Sequence, residues 1–357
     1  MTPEPQLPEL GTIEGFYGKP WSHEARMAHV SALAPHGYRF YHYAPKADAF
    51  LRRRWGEPHP QDEFEALAEL AAHCRAEGVR FGVGLSPYEI YLAFDGAARA
   101  ALKRKLAELD AIGIDDLAIL FDDMRGDVPD LAQTQIEILN LAADHTKAGR
   151  LITCPSYYSD DPVLDRFFGE RPANYLETLG WGLDPAIEIF WTGPKVCSTE
   201  IGADYLKRVA ETLGRKPFLW DNYPVNDGQR MSPFLHLRAF TGRDAEIAPL
   251  IAAHGVNPAS QAVLSRVPML TLEAIYRGAA GEGLFGKAAR DVAGEKLARM
   301  LEEDLPLFQD KGLNGMSDEE KAALRNRYAA FDHACAREIT QWLDGEWRIT
   351  NEIVLTQ

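Results

Sequence analysis

The chain is poor in the features that mark several functional classes. It holds four cysteines in 357 residues, Cys74, Cys154, Cys197 and Cys335, far apart and with no CxxC pair. That scarcity argues against a zinc site or a disulfide framework and leaves reduced, mostly buried thiols. Positive charge is also short: 38 Lys and Arg face 53 Asp and Glu, a formal charge of −15. Neither a nucleic acid nor an anionic membrane is therefore an expected partner, and a neutral or cationic ligand is easier to accommodate. No apolar run reaches membrane-spanning length, and Met1 to Leu10 carries neither a basic nor an apolar signal region. The expectation is a soluble, cytoplasmic protein. The ten histidines fall mostly in helical or loop stretches, such as His23, His29 and His36, which speaks against a metal-dependent site. No metal and no cofactor is expected.

What is present begins with Leu117-Ala-Ile-Leu-Phe-Asp-Asp123, a short apolar run that ends in two adjacent acids. Such a run suits a strand covered on both faces, and parallel strands of α/β enzymes keep their chemistry at their carboxyl ends. Two carboxylates so close push their titrations apart, leaving one protonated and one ionised. The bland alternative, a helix cap beside a solvated acid, is about as common on this segment alone.

The rest of the chain alternates short β-type runs with helical stretches, the mark of a parallel α/β fold. Candidate strands cover 11–16, 39–43, 79–85, 117–121, 150–154, 187–191 and 218–220, with a weak eighth before Asn257. Candidate helices cover 22–34, 62–77, 97–112, 130–147, 174–182 and 200–213, with Ser22 as a cap and Gly78 and Gly214 as stops. The length suits a (β/α)8 TIM barrel of roughly 250 residues with an added segment. The rival doubly wound sheet would show a G-x-G-x-x-G turn after its first strand, and Gly15-Phe-Tyr-Gly18 lacks that form. We expect a barrel over 1–280 and a helical C-terminal appendage over 281–357, with a capping box at Ser317 and helical spacing to Trp342. Such an appendage serves as a packing element or as the contact of a homodimer.

At the strand ends the composition changes to tryptophan, tyrosine, amides and acids: Gly15 to Trp21, Lys46, Tyr157-Tyr158, Trp191, Trp220-Asp-Asn222 and Asn226-Asp227. Flat aromatic faces with a few hydrogen-bonding groups are what a pyranose requires, because its C–H face packs on π surfaces while its hydroxyls need partners. One Trp or Tyr is more often packing than recognition. Their joint placement on one rim points to carbohydrate.

Six fragments in order, Ile13-Glu-Gly-Phe-Tyr-Gly-Lys-Pro-Trp21, Tyr43-Ala-Pro-Lys46, Leu120-Phe-Asp-Asp123, Trp191-Thr-Gly-Pro-Lys195, Trp220-Asp-Asn222 and Val225-Asn-Asp227, resemble the catalytic domain of glycoside hydrolase family 84, the O-GlcNAcases. The likeness runs from about Gly11 to Arg277. It implies a (β/α)8 barrel that removes β-linked N-acetylglucosamine from glycoconjugates or glycopeptides with retention and without metal. The implied nucleophile is the substrate's own 2-acetamido oxygen, which closes to an oxazoline, outside the usual two-carboxylate scheme. By position, Asp122 orients the acetamido N–H, and Asp123 protonates the leaving oxygen and later deprotonates water. The resemblance further implies that Gly15 lies close to a hydroxyl, Lys46 binds one, and Tyr158, with Tyr157 as competitor, meets the acetamido oxygen. Trp220 walls the N-acetyl pocket, Asn222 bonds near the leaving group, Asp227 grips the 4- and 6-hydroxyls, and Asn257 adds a hydroxyl ligand.

The resemblance covers the barrel, beside which family members often carry other domains, and the local sequence of the loop from Tyr158 to Asp165 differs from the family pattern. Two alternatives stand beside the exo-enzyme. One is a hexosaminidase for hyaluronan or muropeptide fragments, and the other is a non-catalytic N-acetylglucosamine-binding barrel.

Overall fold

The computed structural model describes residues 7–281 and 283–350. Eight parallel strands, β1 (Leu10–Glu14), β2 (Tyr38–Tyr43), β3 (Arg80–Leu85), β4 (Asp116–Leu120), β5 (Arg150–Cys154), β6 (Glu188–Trp191), β7 (Phe218–Asp221) and β8 (His254–Val256), close a barrel in sequence order. Closure is made by β8 against β1, pairing Leu10 with His254, Gly11 with Gly255 and Thr12 with Val256. The expected (β/α)8 fold is therefore present. β8 is three residues long and contains a histidine and a glycine, which is why its sequence signal is weak.

Between strands run α1 (His23–Leu33), α2 (Gln61–Ala76), α3 (Gly96–Ile112), α4 (Leu131–His145), α5 (Val163–Phe168), α6 (Tyr175–Gly182) and α7 (Ala203–Leu213), and α8 (Arg266–Tyr276) follows β8. Ser22 caps α1 by accepting the Ala25 N–H at 3.2 Å. Gly78 and Gly214, at φ +70° and +65°, supply the left-handed turns that end α2 and α7. Helix α8 follows a strand too short to announce it, and the sequence alone leaves it unassigned.

The barrel interior is filled in layers, which fixes where a ligand can sit. At the amino ends of the strands an ion-pair ring closes the floor. Arg80 bonds Asp116 at 3.0 Å and Glu9 at 3.1 Å, while Arg150 bonds Glu9 and Glu188, each at 2.9 Å. Above it stack Phe40, His42, Phe190 and Phe218, with centroids 4.7 Å apart for Phe40–His42 and Phe190–Phe218 and 5.3 Å for Phe40–Phe218. Trp220 stands edge-on to Phe190 at 5.2 Å and forms the next layer. Among the described residues, it is the carboxyl end of the barrel that is left open.

The C-terminal helices pack on the flank made by β1, β7 and β8, where Phe285, Leu297, Leu301 and Trp342 share one apolar cluster with Leu10, Leu219 and Val256. The capping box forms: Ser317 Oγ accepts the Glu320 N–H at 3.2 Å, and Glu320 accepts the Ser317 N–H at 2.8 Å. The periodic stretch 317–342 is two helices, Asp318–Ala329 and Ala334–Leu343. His333 breaks it by leaving helical geometry and accepting the Cys335 N–H at 3.1 Å, which caps the second helix. No helix among the described residues is long and apolar enough to cross a membrane.

Candidate active site

A cavity opens at the carboxyl ends of the strands. All nine candidate residues line it: Gly15, Lys46, Asp122, Asp123, Tyr158, Trp220, Asn222, Asp227 and Asn257. Tyr17, Cys154, Thr192, Val196, Cys197 and Val225 complete its walls.

The strand period explains the first acid. Residues 116, 118, 120 and 122 share a face, so Asp122 continues the inward row that begins at Asp116 in the floor. Lys46, whose side chain is 3% exposed, pairs with Asp122 Oδ2. The lysine is thus a buried counter-ion rather than a solvated surface residue. The other carboxylate oxygen, Asp122 Oδ1, is buried and has no hydrogen-bond partner among the described residues. A buried acceptor without a donor costs on the order of 1–3 kcal/mol, so its presence at a cavity wall marks a place for an incoming donor.

Asp123 would point away by the same period, but its backbone is left-handed at φ +56°, a conformation uncommon outside glycine, and its side chain faces the cavity too. Tyr158 donates to Asp123 Oδ1 and Tyr17 to Oδ2, both at 2.9 Å. Arg52 donates to the Asp123 carbonyl at 3.2 Å. Burial first, and then the negative charge of Asp122, push the Asp123 carboxyl above its ordinary range. The two acids of one strand end therefore differ: one is held beside an ammonium, and the other is biased toward the protonated form.

The far wall is built around Trp220. Its indole donates to Asn222 Oδ1 at 3.1 Å, which also accepts from Asn257 Nδ2 at 2.9 Å, and Asn257 Oδ1 accepts the Gly15 N–H at 3.3 Å. Asn222 Nδ2 donates to the Val196 carbonyl at 2.8 Å. The Gly15 N–H is therefore given to Asn257, and the reason for glycine is the wall itself: a Cβ there would lie 2.2 Å from Trp220 Cζ2. Asp227, 5% exposed, accepts the Tyr17 N–H at 2.7 Å. Behind the wall, Asp221 accepts from Arg243 at 2.7 and 2.8 Å and meets His254 at 3.0 Å, and the Arg243 guanidinium holds its carboxyl well below the ordinary range against the opposing effect of burial.

Of the two neighbouring tyrosines, Tyr158 faces the cavity, whereas Tyr157 turns away and donates to the Gly169 carbonyl at 2.6 Å. Sequence reasoning gave no role to Tyr17 or Arg52. Tyr17 sits inside a quoted motif, but nothing in the sequence says which of Phe16 and Tyr17 turns inward. Arg52 belongs to the run Arg52-Arg53-Arg54, and unlike its two exposed neighbours it is only 7% exposed. Cys154 and Cys197 reach the cavity, but burial pushes both thiols up, Cys197 to about 12, so neither is a ready nucleophile.

Residues 10–302 match the family model described as beta-N-acetylglucosaminidase. The protein O-GlcNAcases of Mus musculus and Rattus norvegicus are each 31% identical over 277 residues, 75% of this chain and 30% of theirs. The chain thus spans under a third of the length of these relatives. A solved structure of an O-GlcNAc hydrolase variant from Thermobaculum terrenum superposes with a TM-score of 0.77 at 27% identity, covering 95% of this chain and 81% of that one. With its closed barrel and a match running from β1 into the first C-terminal helix, the chain belongs to the β-N-acetylglucosaminidase family of glycoside hydrolases.

Proposed function

We propose that the protein is a retaining exo-β-N-acetylglucosaminidase acting on N-acetylglucosamine-bearing glycoconjugates or glycopeptides, with the substrate's acetamido group as nucleophile. The observation that carries this reading is Asp122 Oδ1, a buried acceptor without a donor, beside an oxygen paired to Lys46. An acetamido N–H supplies the missing donor. That bond orients the carbonyl oxygen toward the anomeric carbon, and the Asp122 charge stabilises the positive oxazoline as it forms. Asp123, biased toward protonation, gives its proton to the departing oxygen and afterwards takes one from the water that opens the ring.

The two phenols on Asp123 bear on this sequence of events. For the leaving oxygen to reach the acid, one must move aside, and Tyr158, once released, can donate to the acetamido oxygen. Trp220 offers a π wall to the sugar, and Asp227 an acceptor to hydroxyls at the far end of the cavity. No separate carboxylate nucleophile is needed on the opposite face.

The test is steady-state hydrolysis of an aryl β-N-acetylglucosaminide, the matching glucoside and the N-trifluoroacetyl analogue, by wild type and Asp123→Asn. The expected result is turnover of the N-acetyl substrate alone, with a strong drop for the trifluoroacetyl analogue. Equal rates for both N-acyl substrates would refute acetamido participation. Binding of N-acetylglucosamine without any turnover would make the chain a sugar-binding barrel.

A further inference from the structure

Beyond Asp123 the cavity continues into a larger open groove that shares Tyr17, Lys46 and Asp123 with it. If Asp123 protonates the leaving oxygen, as in the reading above on which this inference rests, whatever that oxygen carries extends into the groove. Its charges are unusual in so acidic a molecule. Arg53 is exposed and lies with its guanidinium 3.5 Å from the Tyr88 ring centroid, and Arg52 lies 5.4 Å from the same ring.

Neither guanidinium has an ion pair among the described residues. Arg52, 7% exposed, donates only to Ser86 Oγ at 2.9 Å and to the Asp123 carbonyl. The third arginine of the run, Arg54, is neutralised by Glu57, and Arg125 in the groove by Asp127. With Lys46 paired to Asp122, the groove holds two guanidiniums without an ion pair beside two acids without one, Glu89 and the Asp123 that Arg52 backs, which leaves the exposed Arg53 as the cation turned to the groove. Two like charges side by side on one ring repel each other, and a guanidinium held over an aromatic face still has N–H groups to offer a planar anion.

We propose that Arg53, with Arg52 behind it and Tyr88 beneath it, forms a carboxylate subsite for the aglycone, so that the enzyme prefers N-acetylglucosaminides whose leaving group carries an acidic function. The recognised chemistry is a carboxylate. It can come from an acidic side chain flanking a glycosylated serine or from a sugar acid at the reducing end.

The test compares kcat/KM within matched pairs: carboxyphenyl against carbamoylphenyl N-acetylglucosaminides, glycopeptides with Asp against Asn beside the sugar, and disaccharides ending in a uronic acid against the neutral hexose. Wild type should favour the acid in at least one pair by about tenfold, as a charge-assisted hydrogen bond allows, although the net charge of −15 opposes it. Which pair shows the preference names the source. Arg53→Gln, on an exposed side chain, should bring that ratio to about one, and Arg53→Lys should leave it between. The wild-type ratio should also shrink as salt rises from 0.05 to 0.5 M, values chosen to span the screening range. Ratios near one in all three wild-type pairs, or a preference untouched by Arg53→Gln, would overturn the subsite. Failure to hydrolyse even the neutral aryl N-acetylglucosaminide would instead overturn the underlying reading, and the subsite with it.

Discussion

The contact between Gly15 and Trp220 can be tested by adding one methyl group. In Gly15→Ala the new Cβ would stand 2.2 Å from Trp220 Cζ2 and 2.7 Å from Cη2. Ordinary carbon contacts begin near ~3.5 Å, so one partner must retreat by about 1.3 Å. Trp220 has little room: its ring meets Phe190 edge-on, and its N–H is tied to Asn222. The loop after β1 is held as well, through Gly15 to Asn257 and Tyr17 to Asp227. Overpacking of this kind costs about 1–3 kcal/mol, and a displacement near ~1 Å in a reacting site costs about 100-fold in rate. We expect Gly15→Ala to lower Tm by a few degrees and kcat/KM on the aryl N-acetylglucosaminide by about 100-fold. Gly202→Ala, where an added Cβ meets nothing within 4 Å, serves as the control. Wild-type Tm and kcat/KM in Gly15→Ala would refute the wall described here.

Asp123→Asn should lower kcat/KM on poor leaving groups by about 10² to 10⁴ while sparing the first step on an activated aryl glycoside, and equal losses on both would reject it as the acid. Because the Asp123 carboxyl is raised, the alkaline limb of the wild-type profile should lie above the ordinary carboxylate range and vanish in the variant. The same sign applies to stability: its contribution is complete below the unfolded pKa and lost as pH rises through the folded one, so Asp123→Asn should melt higher at pH 7. Asp122→Asn should reduce rates on good and poor leaving groups alike, since it acts on the acetamido nucleophile, and a leaving-group dependence would contradict that role. Asp221→Asn removes the counter-charge of Arg243, 2% exposed, and should cost about 3–5 kcal/mol by denaturant unfolding, whereas a loss below ~1 would show that the pair is dispensable. Ser317→Ala should cost about 1 kcal/mol through the lost cap and leave kcat/KM unchanged.

Strands buried on both faces are legible because they must be apolar throughout, and β2 to β7 emerge from the sequence within a residue or two. β8 emerges only weakly, as a strand before Asn257, since three residues carry too little periodicity, and α8 does not emerge, since it borrows its apolar neighbours from the C-terminal segment. The nine candidate positions were readable as fragments at strand ends because the barrel brings strand ends together whatever lies between them. What sequence could not supply is the state of each side chain. Lys46 reads as a ligand to a sugar hydroxyl and is a buried partner of Asp122. Asn222, Asn257 and Gly15 read as three separate sugar contacts and form one hydrogen-bonded chain. Arg52 and Arg53 are adjacent in a basic run, yet only the fold shows that one backs Asp123 while the other lies 3.5 Å over the Tyr88 ring.

The stack beneath Trp220 gives the cavity floor a mechanical property of its own. Phe190 and Trp220 come from β6 and β7, Phe40 and His42 from β2, and all rest on salt links that join Glu9 to β3 and β5 and tie those strands to β4 and β6. The surface offered to the ligand is thus the top of a column anchored in six strands and in the residue before β1, not the tip of a single loop. Such a floor cannot loosen before the barrel does. Catalytic competence should therefore be lost on heating in the same transition as the secondary structure, and loop replacements above the column leave its support intact.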